Sequence, residues 1–248
     1  MTSSLQLDLA AGLDGAILFE AAIGSVDSWQ ADVMRTRRNS LLLTGRQVGK
    51  STTSACRAVW TALYQPGSLT ACFSPSLRQS GLLYDKIREV HQAVGSSVGI
   101  EAESAVRLKL KNGSRILSLP SSEATTRGYS LDLAILDEAA RIPDELWAAV
   151  TPMLAVTNGQ LLALTTAWAR RGAFYEAWTG SGDWLRVKIP SRMCSRISEA
   201  FLESERASMD AWSFDREYEC KWASTAETAF SEEQIAAAVD ESIEHLTI

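Results

Sequence analysis

Ser40-Leu-Leu-Leu-Thr44-Gly45-Arg46-Gln47-Val48-Gly49-Lys50-Ser51-Thr52 is an apolar run that breaks into a glycine-punctuated basic turn, and its reading decides the fold. The run is short and uninterrupted, as in a strand buried on both faces. Gly49 permits a tight turn, Lys50 can reach the β- and γ-phosphates of a nucleotide, and the Ser51 hydroxyl can hold Mg²⁺. The general pattern G-x-x-x-x-G-K-[ST] places its first glycine at position 44, where this chain has Thr44; Gly45 comes one place late. Residues Lys50 to Gln65 lack Gly and Pro and carry Ala55, Val59, Ala62 and Leu63 on a helical pattern, so bound phosphates would meet free N–H groups at a helix N-terminus. Taken by itself, the stretch has an alternative reading as a chance Gly-Lys-Ser in a turn.

A second apolar run, Leu133-Ala-Ile-Leu136, ends in Asp137-Glu138. The carboxyl end of a buried parallel strand is where α/β proteins place ligands. Asp137 is then the Mg²⁺-side carboxylate, and Glu138 is the group that polarises an attacking water. The alternative is an Asp-Glu pair that caps the following helix before Pro143.

Trp29-Gln30, Gly45-Arg-Gln-Val-Gly-Lys-Ser-Thr52, Arg127-Gly128, Asp137-Glu-Ala-Ala140 and Leu164-Thr-Thr-Ala167 together resemble the ATPase domain of phage terminase large subunits, motors that package double-stranded DNA into procapsids. The resemblance covers roughly residues 27 to 235 and accounts for the displaced first glycine. It implies that Gly45, Arg46, Gln47, Val48, Gly49, Lys50, Ser51 and Thr52 bind ATP, and that Ser51 and Asp137 hold Mg²⁺. It also implies that Gln30 reads the adenine edge, Arg46 senses the γ-phosphate, Glu138 is catalytic, and Arg127 completes a neighbouring subunit's site. Thr165 and Thr166 match the motif that couples hydrolysis to movement. For Gln30 the alternative is a solvated helix residue, and for Arg127 a loop arginine paired with Glu123. The implied partners are double-stranded DNA, a portal protein, a small terminase subunit and further copies of the chain in a ring, in a host cytoplasm. Terminase large subunits usually continue into a nuclease domain, whereas this chain stops at Ile248, so no nuclease activity is expected of it.

Composition suits a compact enzyme domain: 248 residues, 46% hydrophobic and 22% charged. Cys56, Cys72, Cys194 and Cys220 show no C-x-x-C spacing, so neither a zinc site nor a disulfide framework is expected. No apolar run reaches membrane-spanning length. The net charge of −6 is unevenly spread: residues 1–34 carry five acids and no Lys or Arg, whereas residues 35–118 carry thirteen basic and four acidic side chains. Arg107, Lys109, Lys111 and Arg115 fall on a hairpin turning at the two-residue signal Asn112-Gly113. These four are candidate DNA contacts through charge alone, the alternative being a solvated face, and Arg170 and Arg171 are a second candidate contact with DNA or with the next subunit.

Strands at Leu41–Thr44, Leu69–Phe73, Leu133–Leu136 and Gln160–Thr165, alternating with helices, predict an α/β fold of the P-loop NTPase (RecA/ASCE-like) type, its mainly parallel sheet flanked by helices. Residues 1–170 are expected to form the ATPase core, with 1–34 as a helical lead-in. Residues 171–248 are expected to form a small lid or linker subdomain, with a strand at Trp184–Ile189, one or two helices over Glu199–Trp222, and a core of Trp212, Phe214, Tyr218 and Trp222. Two rival readings are a helicase-like DNA-dependent ATPase and a non-hydrolysing ATP-binding assembly module.

Overall fold

The computed structural model describes residues 4–95, 98–121 and 128–222. Three helices lead in: α1 (Ser4–Leu13), α2 (Gly15–Ile23) and α3 (Ser28–Arg35). There follow β1 (Ser40–Thr44), α4 (Lys50–Tyr64), β2 (Leu69–Ser74), α5 (Leu77–Ala93), β3 (Ile100–Ser104), β4 (Arg107–Leu110), β5 (Arg115–Pro120) and β6 (Leu133–Asp137). The described chain ends with α6 (Asp144–Met153), β7 (Gln160–Thr165), α7 (Ala173–Thr179), β8 (Leu185–Ile189), α8 (Glu199–Ser208) and α9 (Ala211–Tyr218).

All the strands join one sheet in the order β3-β4-β5-β2-β6-β7-β1-β8. From β5 to β8 every neighbouring pair is parallel, while β3 and β4 add an antiparallel edge. Strand β7 therefore lies between β1 and β6. The parallel strands are buried on both faces, and alternate residues feed different cores. Leu42, Cys72, Leu133, Ile135, Leu162 and Leu164 pack beneath α2 to α5, whereas Leu69, Ala71, Phe73, Ala134, Leu136, Leu161 and Ala163 pack with Leu146, Val150 and Phe174 of α6 and α7. The sheet is thus covered on both sides, as the strand and helix alternation requires.

The lead-in is tied to the core. Trp60 Nε1 of α4 donates to the Ala11 carbonyl at 2.8 Å, and the Tyr64 hydroxyl bonds Asp8 at 2.8 Å. Residues 185–189, expected in an appended subdomain, form β8 and pair with β1 through Ser40↔Leu185 to Thr44↔Ile189 in the main sheet. Of the aromatics expected to build a separate core there, Phe214 and Tyr218 are buried but Trp212 is 39% exposed, and Trp222 packs on Phe174 and Tyr175. The expected hairpin forms with Lys109 opposite Arg115, but four residues connect its strands, with Leu110 N–H bonded to the Ser114 carbonyl. Only Gly113 in that loop has a positive φ, so the turn is not the two-residue type that Asn-Gly suggested. All four cysteines are buried and free. Among the described residues, no helix is long and apolar enough to cross a membrane.

Candidate nucleotide site

The loop between β1 and α4 takes positive φ at two residues, Gln47 (60°) and Gly49. Gly49 adopts φ 98° as the residue capping α4, a conformation that favours glycine. Val48 turns into the core at 1% exposure and anchors the loop, while Arg46 and Gln47 stay exposed. Gly45 has an ordinary φ but no room: a Cβ there would lie 2.7 Å from Ser191 N and 2.8 Å from the Tyr218 carbonyl. The glycine at position 45 is therefore required by the chain that passes over it. Lys50, Ser51 and Thr52 begin α4 and are partly exposed at its N-terminus.

Parallel pairing carries the second half of the site to the same edge of the sheet. Leu43 of β1 pairs with Thr165 of β7, and Leu164 of β7 pairs with Asp137 of β6. Lys50 Nζ lies 2.9 Å from Glu138 Oε1, both side chains being about 15% exposed. Glu138 sits in the left-handed region at φ 52°, an uncommon conformation for this residue type and one concentrated at functional sites. Burial, then the neighbouring charge of Glu138, pushes the Asp137 carboxyl up to about 6, with Lys50 opposing. Asp137 Oδ1 and Glu138 Oε2 are buried without a hydrogen-bond partner among the described residues. Two such oxygens beside an ammonium and a helix N-terminus suit a divalent cation carried with a polyphosphate. The donor set fits Mg²⁺ at Ser51 and Asp137.

Thr165 bridges the halves. Its hydroxyl accepts from Ala140 N–H at 3.4 Å and donates to the Thr166 carbonyl at 2.8 Å. Gln30 lies beneath the loop at 2% exposure with its carboxamide engaged: Oε1 accepts from Asp27 N–H at 2.9 Å and Nε2 donates to Thr53 Oγ1 at 3.1 Å. Gln30 is thus not a solvated helix residue; its carboxamide lies against the phosphate loop at Gly49. Arg127 lies outside the described residues. The candidate DNA contacts do not form one patch. Lys111 and Arg115 lie at the hairpin loop, beside the amino end of β2 and away from the site edge, and Lys109 is paired with Glu101 at 2.6 Å. Arg107 is exposed on the other end of β4; Arg170 and Arg171 are exposed beyond the carboxyl end of β7, on the site edge.

Several site residues escaped the sequence reading. Arg196 pairs with both Asp27 carboxylate oxygens at 3.1 and 2.8 Å and donates to the Val48 carbonyl at 3.1 Å, clamping the loop to α3. The Ser191 hydroxyl donates to the Arg46 carbonyl at 2.9 Å, and Arg46 N–H donates to the Glu217 carbonyl at 2.8 Å. Arg46 Nε also meets Glu217 Oε2 at 2.7 Å. Burial pushes the Glu217 carboxyl up, but Arg46 and Arg216 outweigh it and hold the group below its ordinary range. No sequence spacing signals these contacts, because they come from the chain after β8.

Residues 41–237 match the family described as terminase large subunit, T4likevirus-type, N-terminal. The chain is 27% identical over 207 residues to the terminase large subunit of Thermus phage G20c, an alignment spanning 74% of this chain and 42% of that protein. The chain therefore corresponds to less than half the length of that relative. Its fold is similar to the large terminase ATPase domain of Thermus phage P74-26 (TM-score 0.72, 21% identity, 83% of this chain and 97% of that one). It is also similar to the large terminase of a thermophilic bacteriophage in complex with ATP-gamma-S (TM-score 0.60, 12% identity, 85% and 53%). The architecture is that of a P-loop NTPase.

Proposed function

The chain belongs to the terminase large-subunit family, and on that premise we propose that it is the ATPase domain of a viral DNA-packaging motor, hydrolysing ATP to move double-stranded DNA into a procapsid. One observation carries the reading: parallel strands flanking β7 deliver Lys50 Nζ and Glu138 Oε1 to 2.9 Å of each other, with Asp137 alongside. The similar terminase bound to ATP-gamma-S supports the choice of nucleotide.

In this reading the loop N–H groups from Gly45 to Thr52 and the N-terminus of α4 cradle the phosphates, and Lys50 binds the β- and γ-phosphates. Recruiting Lys50 separates it from Glu138 and leaves that carboxylate as the base. Glu138 then accepts a proton from the attacking water, with its backbone already fixed by the left-handed turn. Mg²⁺, held by Ser51 and Asp137, would neutralise charge on the phosphates when bound. Gln30 and Arg196 hold the loop in shape from below and outside. Arg127 is proposed as an arginine finger for a neighbouring subunit in a head-to-tail ring. Helices α8 and α9 are proposed as the lid, since α9 rests on the phosphate loop. Thr165 and Thr166 are proposed to pass changes at Glu138 to β7. DNA would be contacted by exposed arginines such as Arg170 and Arg171, with portal protein and small subunit as partners in a host cytoplasm.

The test is steady-state ATP hydrolysis with Mg²⁺, with and without double-stranded DNA, comparing the chain with Glu138→Gln. We expect the variant to keep nucleotide binding while turnover drops at least about 10²-fold, the loss expected of a missing general base. Stimulation by DNA in the unmodified chain is expected as well. Equal turnover in both proteins would overturn the role of Glu138, and equal rates with and without DNA would overturn the motor assignment.

A further inference from the structure

Strand β2 borders β6, and its last residue carries a hydroxyl with no evident use. Cys72 pairs with Ile135 and Phe73 with Leu136, so Ser74 comes level with Asp137 at the carboxyl ends of the two strands. Neighbouring strands lie about 4.8 Å apart. Cys72 and Ile135 pack beneath α2 to α5, whereas Phe73 and Leu136 pack with α6 and α7. By alternation, Ser74 and Asp137 both face the side of the sheet that carries α4 and the phosphate loop. Burial, then the charge of Asp137, pushes the Cys72 thiol up, so that carboxylate is felt on β2. Ser74 is buried at 0% exposure, and its Oγ has no hydrogen-bond partner among the described residues. On its other flank Ser74 pairs with Pro120, whose ring offers neither donor nor acceptor.

An unsatisfied hydroxyl and an unsatisfied carboxylate oxygen, buried at one level on one face, are both completed by a polar group set between them. A water meets that need, and Mg²⁺ bound through one or two carboxylates and phosphates keeps several of its waters. A cation-bound water has two protons to donate, and Asp137 Oδ1 and Ser74 Oγ are two acceptors. We propose that Ser74 is a positioning residue of the cation site: with Asp137 Oδ1 it holds a water of the hydrated divalent cation that accompanies the nucleotide. The inference rests on the nucleotide reading above. It gives a reason for a serine at the end of a mostly apolar strand, where alanine would fill the place without burying a lone hydroxyl.

The experiment titrates ATP-gamma-S into the full chain and into Ser74→Ala, once with saturating Mn²⁺, which shares the oxygen ligands of Mg²⁺, and once with the metal chelated. With Mn²⁺, Ser74→Ala should bind roughly tenfold more weakly, as loss of an outer-shell partner does. Without metal, the affinity should be unchanged and the melting temperature no lower, because the hydroxyl has no partner to lose. In an Asp137→Asn background Ser74→Ala should have little further effect, since the two residues share one water. Ser74→Ala binding within about twofold of the unmodified chain with Mn²⁺, or equally weakened with and without it, would overturn the role of Ser74 and leave the nucleotide reading intact. A lowered metal-free melting temperature would do the same, by marking the serine as structural. Binding by the unmodified chain that Mn²⁺ does not strengthen would overturn the cation site, and failure of that chain to bind ATP-gamma-S at all would overturn both readings. Should Ser74→Ala fail to fold, Ser74→Cys, which exchanges the hydroxyl for a weakly hydrogen-bonding thiol, is read by the same criterion and should shift in the same direction.

Discussion

Gly45→Ala isolates the packing of the C-terminal segment on the phosphate loop. The added methyl would meet Ser191 N at 2.7 Å and the Tyr218 carbonyl at 2.8 Å, where ordinary contact begins near 3.4 Å. Both neighbours are backbone atoms and cannot rotate away, so the segment must lift by about 0.6 Å or more, the gap between those distances. Overpacking of this kind costs roughly 1–3 kcal/mol. Lifting also strains two hydrogen bonds, Arg46 N–H to the Glu217 carbonyl at 2.8 Å and the Ser191 hydroxyl to the Arg46 carbonyl at 2.9 Å. Each contributes about 1 kcal/mol net. The expected loss is therefore on the order of 2–4 kcal/mol, or roughly 5–15 °C in melting temperature for a domain of this size. Thermal unfolding followed by circular dichroism measures it. Adding Ser191→Ala should restore little, since that removes the hydroxyl and leaves both backbone contacts. A Gly45→Ala chain melting within about 1 °C of the unmodified chain would refute the account of why the glycine stands at 45.

Two further outcomes follow from buried charges. Asp137 binds its proton more tightly in the folded chain, at about 6 against an ordinary 3.8, so the folded state carries the extra proton between those values. Its contribution thus falls as pH rises through that window and stays low above it. Asp137→Asn should accordingly gain roughly 1–3 kcal/mol of stability at pH 8 without added metal, with a smaller gain at pH 5; parallel stability profiles across pH 4–8 would refute this. Arg57 is 3% exposed, donates to the Met34 carbonyl at 2.7 Å, to the Thr36 carbonyl at 3.2 Å and to Gln160, and stacks on Trp60 at 4.8 Å. Arg57→Met keeps much of the stem but removes the guanidinium from the Met34 carbonyl and Gln160 Oε1, while the Thr36 carbonyl keeps Gln160 Nε2 at 3.1 Å, and should cost about 2–4 kcal/mol in urea unfolding; a loss under about 0.5 kcal/mol would show that water or a neighbour replaces the guanidinium.

What the sequence discloses about this fold is what local chemistry encodes. Four strands of the parallel sheet stand out as predominantly apolar runs because both of their faces are buried. The strand β3 is invisible by the same rule: Ile100 to Ser104 is exposed throughout at the sheet edge, so neither an apolar run nor an alternation marks it. Lys50, Asp137 and Glu138 are legible because a phosphate loop and a strand-end carboxylate pair are local patterns whose meeting follows from parallel topology.

The partners that restrain those residues are not legible, and the reason is distance along the chain. Arg46 and Glu217 are 171 positions apart, and Asp215-Arg-Glu-Tyr218 by itself reads as an ordinary charged helix turn. Nothing in its composition separates Glu217, nearly buried under three arginines, from Glu203 on exposed α8. The same holds for Gly45, whose position looks like a defect in a phosphate-loop pattern until Ser191 and Tyr218 are seen pressing on it. Groups that would touch a nucleotide are constrained by its chemistry and recur in recognisable spacing. Groups that hold the loop in one conformation are constrained only by where the chain returns, so the restraint on this site becomes visible only once β8 and α9 are in place.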